Sequence, residues 1–322
     1  MAGTKGQLRV REASARDFPG IIELGKVSFP REMEVFGFDQ EMVARQVRLY
    51  RWVSLIQRLT GRFFFKLYVG ELGGELVGTA TLAREGEAWY IGMVMVAPEH
   101  RRKGFGQALV EFVCEEARSR GVPRVILHVR EDNAPAKALY QKLGFELFER
   151  EFHLVREFAD IEPASISSEE VVLPEGYRLR RVGPFDRQAF QLLDECREER
   201  AAQIYGPSAY PPLYVRLAFR LFRPQLIERY AIMHDGDRIG VYSFRFTSPR
   251  EAARAGVALR REHRGRGLEK PLLLRALRRA KELGAPKLGT VADEGETALL
   301  GACDELGFAR PFVMEGMVKQ LR

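Results

Sequence analysis

The amino-acid sequence predicts an α/β (α+β) architecture arranged as two tandem domains. Three observations predict it. The chain has 322 residues, more than one small hydrophobic core comfortably organises. Strand-like and helix-like apolar periodicities succeed one another along it. Their order occurs twice, on either side of residues 159–175, a stretch rich in Ser, Pro and Glu that reads as a linker. The expected domains are therefore 1–158 and 176–322.

In the first half, residues 8–11 alternate as a strand does, and Asp17 opens an apolar-periodic helix toward Leu24. Residues 41–59 form a second helical stretch. Strands over 67–71 and 75–82 are joined by Gly73-Gly74, a hairpin signal. Residues 88–96 make a third, longer strand. Over 106–120, Leu109, Phe112, Val113 and Ala117 fall on one helix face. A buried-strand run at 125–129, a short helix at 134–143 ending on Gly144, and a strand at 145–155 complete the half.

The second half repeats this order. Residues 177–182 match the first strand, Asp186 stands where Asp17 did, and Asp235-Gly236 matches the Gly73-Gly74 hairpin. From there the register is nearly constant. His263-Arg264-Gly265-Arg266-Gly267 lies over His100-Arg101-Arg102-Lys103-Gly104, Gly284-Ala285-Pro286 over Gly121-Val122-Pro123, and Leu306-Gly307-Phe308 over Leu143-Gly144-Phe145. The chain reads as an internal duplication, too long in period and too few in copies for a solenoid.

Composition narrows the function classes. Hydrophobic residues make up 46% and charged residues 30%, an ordinary globular balance. No stretch approaches the roughly 18–20 apolar residues of a membrane span, and residues 1–10 lack the apolar core of a signal peptide. Cys114, Cys196 and Cys303 are isolated thiols that form neither a disulfide framework nor a metal motif, so no metal is expected and a cytoplasmic location is. The formal charge is +7. It fits a polyanionic ligand, but the basic residues are interspersed with acidic ones, and no basic tail or aromatic-spaced stripe favours nucleic acid.

The run from Val94 through Val96, Pro98, Arg101, Arg102, Lys103, Gly104, Phe105 and Gly106 to Gln107 carries the chemistry. A hydrophobic strand enters a short basic turn with glycines, and a helix starts at once. Glycine lets the backbone approach an anion closely, and the free N–H groups of a first helical turn point at it. A solvated basic turn is the plainer alternative.

The pattern Arg101-x-x-Gly104-x-Gly106 after a strand ending in Val-x-Pro resembles the acyl-CoA pyrophosphate motif of the GNAT superfamily of N-acetyltransferases. Asn133-x-x-Ala136-x-x-x-Tyr140-x-x-x-Gly144-Phe145 resembles its second cofactor segment. The similarity covers about residues 8–157 and, more loosely, 176–320. Asn133 is the sole asparagine of the chain; it also suits a helix cap. The resemblance implies two tandem GNAT-like domains, each a mixed, mostly antiparallel sheet flanked by helices. It implies acetyl-CoA as acyl donor and a primary amine of a small molecule, peptide or protein as acceptor; a homodimer is compatible with this. By the same resemblance, main-chain groups of Val94, Met95 and Val96 hold the pantetheine arm in a gap between this strand and residues 125–129. Amides from Arg102 to Gln107 bind the pyrophosphate, and Tyr140 sits near the sulfur.

The chemistry then sets demands. A main-chain N–H at Met95 or Val96 suits the developing oxyanion, and a tyrosine, protonated at neutral pH, can give the leaving thiolate its proton. Candidate bases are Glu87, Glu99, His128 and Glu131; deprotonation through water needs none of them. The acceptor site is expected over residues 28–39, where Phe29, Phe36 and Phe38 stand among Arg31, Glu32, Glu34 and Asp39, either to attract an amine or as a lid packed by its phenylalanines. A non-catalytic acyl-CoA-binding or sensing protein is the alternative function. In the second copy Gly106 becomes Glu269, Asn133 becomes Glu296 and Tyr140 becomes Cys303. A carboxylate facing two phosphates costs roughly 1 kcal/mol or more, so this copy is expected to keep the fold without the catalysis.

Overall fold

The computed structural model describes residues 8–31, 65–159, 171–208, 210–211, 216 and 225–321. The helix expected at 41–59 and most of the linker at 159–175 lie outside them. Contacts gather the described residues into two compact units. The first takes those up to Phe148 together with the segment from Gly316 on; the second takes Glu149 to Glu315.

In the first unit, β1 (Arg9–Glu12), β2 (Phe65–Leu72), β3 (Glu75–Glu85), β4 (Ala88–Val96) and β5 (Arg124–Arg130) lie side by side in chain order. All neighbours are antiparallel except β4 and β5, which are parallel. Three helices accompany them: α1 (Phe18–Ser28), α2 (Phe105–Arg118) and α3 (Ala134–Lys142). The period-2 alternation of strands separates two cores. Leu67 and Val69 of β2 turn toward Ile21 and Leu24 of α1. Tyr68 between them joins Leu109, Val110, Val113 and Ala117, the apolar stripe of α2. Those four α2 residues are 0% exposed, and burying a Leu or Val of this kind contributes roughly 1.5–3 kcal/mol.

The second unit starts with β6 (Glu146–Glu157, from Glu149 on) and β7 (Tyr177–Val182). It continues with α4 (Arg187–Glu195), α5 (Glu199–Tyr205), β8 (Leu226–His234), β9 (Asp237–Phe246), β10 (Ala253–Leu259), α6 (Glu269–Glu282), β11 (Lys287–Asp293) and α7 (Thr297–Glu305). Its strands run β7-β8-β9-β10-β11-β6, with β10 and β11 parallel and the other registered pairs antiparallel. Both hairpins close as expected. Gly73 and Gly74 have φ of 60 and 92, Asp235 and Gly236 have 49 and 92, the two left-handed residues a two-residue hairpin needs.

The unit boundaries differ from a division at the linker. β6 pairs antiparallel with β11 from Glu151↔Asp293 to Glu157↔Lys287, so most of this strand is built into the second unit. In return the end of β12 (Ala309–Gln320) lies next to β5. There Leu321 N donates to Pro123 O at 2.9 Å, Arg118 Nε donates to Leu321 O at 3.1 Å, and Met317 and Leu321 enter the α2-side core. A strand's own alternation says which face is buried and nothing about which neighbour it will join.

Both aspartates stand at helix starts as read from the sequence, and of the two only Asp186 caps its helix with a side-chain hydrogen bond. Asp17 precedes α1, accepts from Ser14 N at 2.6 Å and from both Nη atoms of Arg11 at 2.8 Å. The Arg11 hydrogen bonds hold its carboxyl well below the usual range. Asp186 caps α4 by accepting from Ala189 N and pairs with Arg238, both at 2.8 Å.

Candidate functional site

β4 and β5 begin as paired neighbours and then part. Their register runs Ala88↔Arg124, Trp89↔Val125 and Tyr90↔Ile126, whereas the strands continue to Val96 and Arg130. Past Tyr90 the β5 side of β4 has no registered partner among the described residues, so its main-chain groups there are available to something other than a sheet neighbour.

A bulge reshapes β4 in this stretch. Met93 takes φ +47, its carbonyl accepts from Thr79 Oγ1 at 2.8 Å, and the β3–β4 register shifts between Thr79 and Thr81. One extra residue reverses the face that every later side chain takes. Trp89 and Ile91 lie in the α2-side core. After the bulge it is Val94 and Val96 that pack there, and Met95 turns into the α1-side core.

The basic turn follows. Arg101 Nε donates to Val96 O at 3.0 Å, which ties the turn to the end of β4. Arg101, Arg102 and Lys103 are exposed. Arg102 has φ +60 and Gly104 φ +84, an alternation of left-handed residues that turns main-chain N–H groups toward one side. α2 then starts at Phe105 with no side-chain cap and no acidic residue in its first turn. The N–H groups of Phe105, Gly106 and Gln107 therefore have no helical acceptor, and the helix dipole makes them a site for an anion.

α3 closes the third side. Asn133 Oδ1 caps it, accepting from Ala136 N at 3.2 Å, so the cap expected of this asparagine is present. A Cβ on Gly106 would lie 3.3 Å from Leu139 Cδ2 and 3.7 Å from Val96 Cγ2. The start of α2, the end of β4 and the middle of α3 thus converge on Gly106, with Gln107 Oε1 also accepting from Lys142 Nζ at 3.1 Å. Tyr140, one residue along from Leu139, is 7% exposed in the α2-side core and 5.8 Å from the Phe145 ring. Burial, and then the charge of Tyr90, push its pKa above the ordinary tyrosine value.

The structure sorts the candidate bases. Glu87 precedes β4 and pairs with Arg124 at 3.1 Å, at the opposite end of the strand from Val96; it is no base for this site. His128 lies between the rings of Tyr90 and Phe148, 5.7 and 6.4 Å away, as a packing residue does. Glu99 groups with Glu75 and His100 beside the basic turn, and Glu131 follows β5 with its carbonyl accepting from Lys137. None of the four hydrogen-bonds to Tyr140 among the described residues. Of the acceptor segment, Phe29 packs on the α1-side core and Arg31 stands 3.8 Å from Asp132, the neighbour of Asn133. Residues 32–39, with Glu32, Glu34, Phe36, Phe38 and Asp39, lie outside the described residues.

The second unit repeats the frame and alters the contents. Arg264 Nε donates to Leu259 O at 3.1 Å, as Arg101 does to Val96, and Gly267 has φ +81 where Gly104 has +84. Yet β9 and β10 keep an unbroken register from Arg254↔Arg245 to Leu259↔Gly240, so the bulge is missing. Glu198 pairs with Arg264 and, at 2.9 Å, with Arg261. Glu269 is 4% exposed and accepts from Gly265 N at 2.8 Å. Glu296 accepts from Asp293 N at 3.0 Å; burial pushes the carboxyls of Asp293 and Glu296 up to about 7. Cys303 is fully buried, which pushes its thiol up to about 12, the protonated and inert form. The cavity left, lined by Val257, Leu259, Arg264, Gly265, Glu269 and Glu296 among others, measures about 120 Å³, below the roughly 300 Å³ of small-molecule sites.

Sequence reasoning found the turn and missed the bulge and Glu198. An isolated glycine inside a strand, Gly92 next to Met93, was the available signal for the first. Glu198 comes from a distant helix start, and nothing local marks it.

A family model described as the acetyltransferase (GNAT) family matches residues 29–145 and again 189–308. A glucosamine 6-phosphate N-acetyltransferase of Trypanosoma brucei brucei is 38% identical over 96 residues, which cover 28% of this chain and 63% of that protein. A tandem GNAT protein from the clavulanic acid biosynthesis pathway superposes with a TM-score of 0.64 at 19% identity, covering 98% of this chain and 99% of the other. A GCN5-related N-acetyltransferase from Sphaerobacter thermophilus does so with a TM-score of 0.69 at 19% identity, covering 98% and 96%. These two likenesses are of fold, and they extend over the whole tandem arrangement.

Proposed function

The chain belongs to the acetyltransferase (GNAT) family, and from that premise we propose that its first unit transfers an acetyl group from acetyl-CoA to a primary amine of a small molecule, peptide or protein. One observation carries the proposal: the unpaired edge of β4 past Tyr90 leads directly to an acid-free helix N-terminus with three exposed cations beside it. The residues present fit the donor. Main-chain groups of Val94, Met95 and Val96 hold the pantetheine arm and the thioester oxygen. Amides from Arg102 to Gln107, with Arg101 and Lys103 nearby, hold the pyrophosphate. Asn133 fixes the start of α3 and so the position of Tyr140.

The thioester supplies the activated acyl group, and the protein supplies alignment, oxyanion donors and a proton. Tyr140 gives its phenolic proton to the departing thiolate. Its raised pKa keeps that proton in place at neutral pH, and among the described residues no hydrogen bond ties its hydroxyl elsewhere. The amine loses its own proton through water.

The name of the Trypanosoma relative, a glucosamine 6-phosphate N-acetyltransferase, puts a phosphorylated amino sugar among the acceptors to assay. Release of CoA thiol is followed across amino sugars, small amines and peptide N-termini. Amine-dependent release is expected. Tight acetyl-CoA binding with no release for any amine would replace the enzyme by an acyl-CoA-binding or sensing protein.

A further inference from the structure

The second unit keeps the frame of the cofactor turn, and its main-chain donors already have a partner. Glu269 is the first residue of α6 and the acidic residue of its first turn, at the position of Gly106 in α2. Its carboxylate is turned inward: the residue is 4% exposed, Oε1 accepts from Gly265 N at 2.8 Å, and it lines the 120 Å³ cavity with Arg264 and Gly265. Gly265 has φ +71 and stands where Arg102, with φ +60, opens the anion-binding turn of the first unit. The volume has been made for it. In the first unit a Cβ at Gly106 already comes within 3.3 Å of Leu139; the corresponding residue in α7 is Ala302, short enough to admit a longer side chain opposite. Glu198 completes the replacement by pairing with Arg264, and a Cβ on Gly295 would lie 3.3 Å from its carboxylate.

We propose that Glu269 is a built-in occupant of the second unit's anion site, a carboxylate that holds the turn where a pyrophosphate would otherwise lie and so limits the chain to one acyl-CoA. This rests on the reading of the first unit as the acyl-CoA site only for the number one. The occupation itself is a property of the second unit. It also explains why a charged residue is stable while buried at a helix start, since the dipole and the Gly265 N–H both favour an anion there.

Two measurements on the full chain test it. In calorimetric titration with acetyl-CoA, the wild type should bind one equivalent and the variant Glu269→Gly/Glu296→Asn two. A variant that keeps its circular dichroism and binds no more than the wild type overturns the proposal. Glu269→Ala removes the carboxylate and frees the Gly265 N–H. In a Gly106→Glu/Leu139→Ala background, which closes the first site, inorganic pyrophosphate should raise the melting temperature of the variant Glu269→Ala by roughly 2–4 °C and leave the chain with Glu269 unchanged. No shift, or the same shift in both, overturns it even if Glu269→Gly/Glu296→Asn fails to fold. A wild type that binds no acetyl-CoA refutes the reading of the first unit and leaves the pyrophosphate result to decide this one.

Discussion

Tyr140 and Glu269 show how one side chain, set by its surroundings, decides what a shared frame can do. Tyr140 is buried beside Phe145, and that burial holds its proton. Tyr140→Phe removes the proposed proton donor and little of the packing. It should lower kcat about 100-fold, the low end of general-acid effects, because a thiolate with pKa near 8.5 leaves with modest help. The acetyl-CoA dissociation constant should stay within about twofold. Unchanged kcat would leave Tyr140 a packing residue. Because its pKa is raised, the alkaline limb of the rate profile should show no loss from this group up to about pH 10, its ordinary value. The role proposed for Tyr140 was visible in the sequence only through its motif, since an isolated tyrosine on a helix face is ordinarily half-buried packing. Cys303, at the matching position, is a fully buried packing residue.

The strand β4 carries the site because of its bulge. Thr79, 0% exposed, holds the Met93 carbonyl, and Met93 pays for an unfavourable φ with that contact. Thr79→Val keeps the volume and removes the hydroxyl. The expected loss is about 1 kcal/mol of stability in the first unit, with KM for acetyl-CoA raised several-fold and kcat less affected. An unchanged KM would show that the bulge needs no such support. At this scale the sequence was legible where the physics is local. The extent of β4, the helix after the basic turn, the helix starts at Asp17 and Asp186 and both hairpins follow from periodicity and turn chemistry, and all appear. The bulge was only hinted at by Gly92, because a slip of one residue depends on the β3 partner. The charge reversal in the second unit was legible at Glu269 and Glu296, which replace motif residues, and not at Glu198.

Across the whole molecule the duplication was legible from the spacing of three landmarks, but the destination of each copy's last strand was not, because pairing is non-local. The first unit depends on residues 316–321 for Met317, Leu321 and the Arg118 hydrogen bond. A chain ending at Glu315 should lose roughly 3–6 kcal/mol from that unit, from two buried side chains. The buried thiols report the units separately: Cys114 should become labelled well before Cys303, and equal protection of both would refute the dependence. Asp293 and Glu296 give the second unit a pH signature. Their folded pKa values of about 7 exceed the unfolded values near 4. Their contribution is therefore full below about pH 4 and is lost as pH rises through 7. Asp293→Asn with Glu296→Gln should raise the melting temperature at pH 8 by roughly 2–4 °C or more and leave that at pH 4 nearly unchanged; the reverse pattern would contradict the assignment. Acyl transfer is proposed for the first unit alone, and the most direct measurement is amine-dependent release of CoA thiol by the wild type and by Gly106→Glu/Leu139→Ala, which brings in both the glutamate and the small facing residue of the second unit. Release by the wild type and its loss in the double variant, with circular dichroism unchanged, are expected; undiminished release from Gly106→Glu/Leu139→Ala would contradict the assignment.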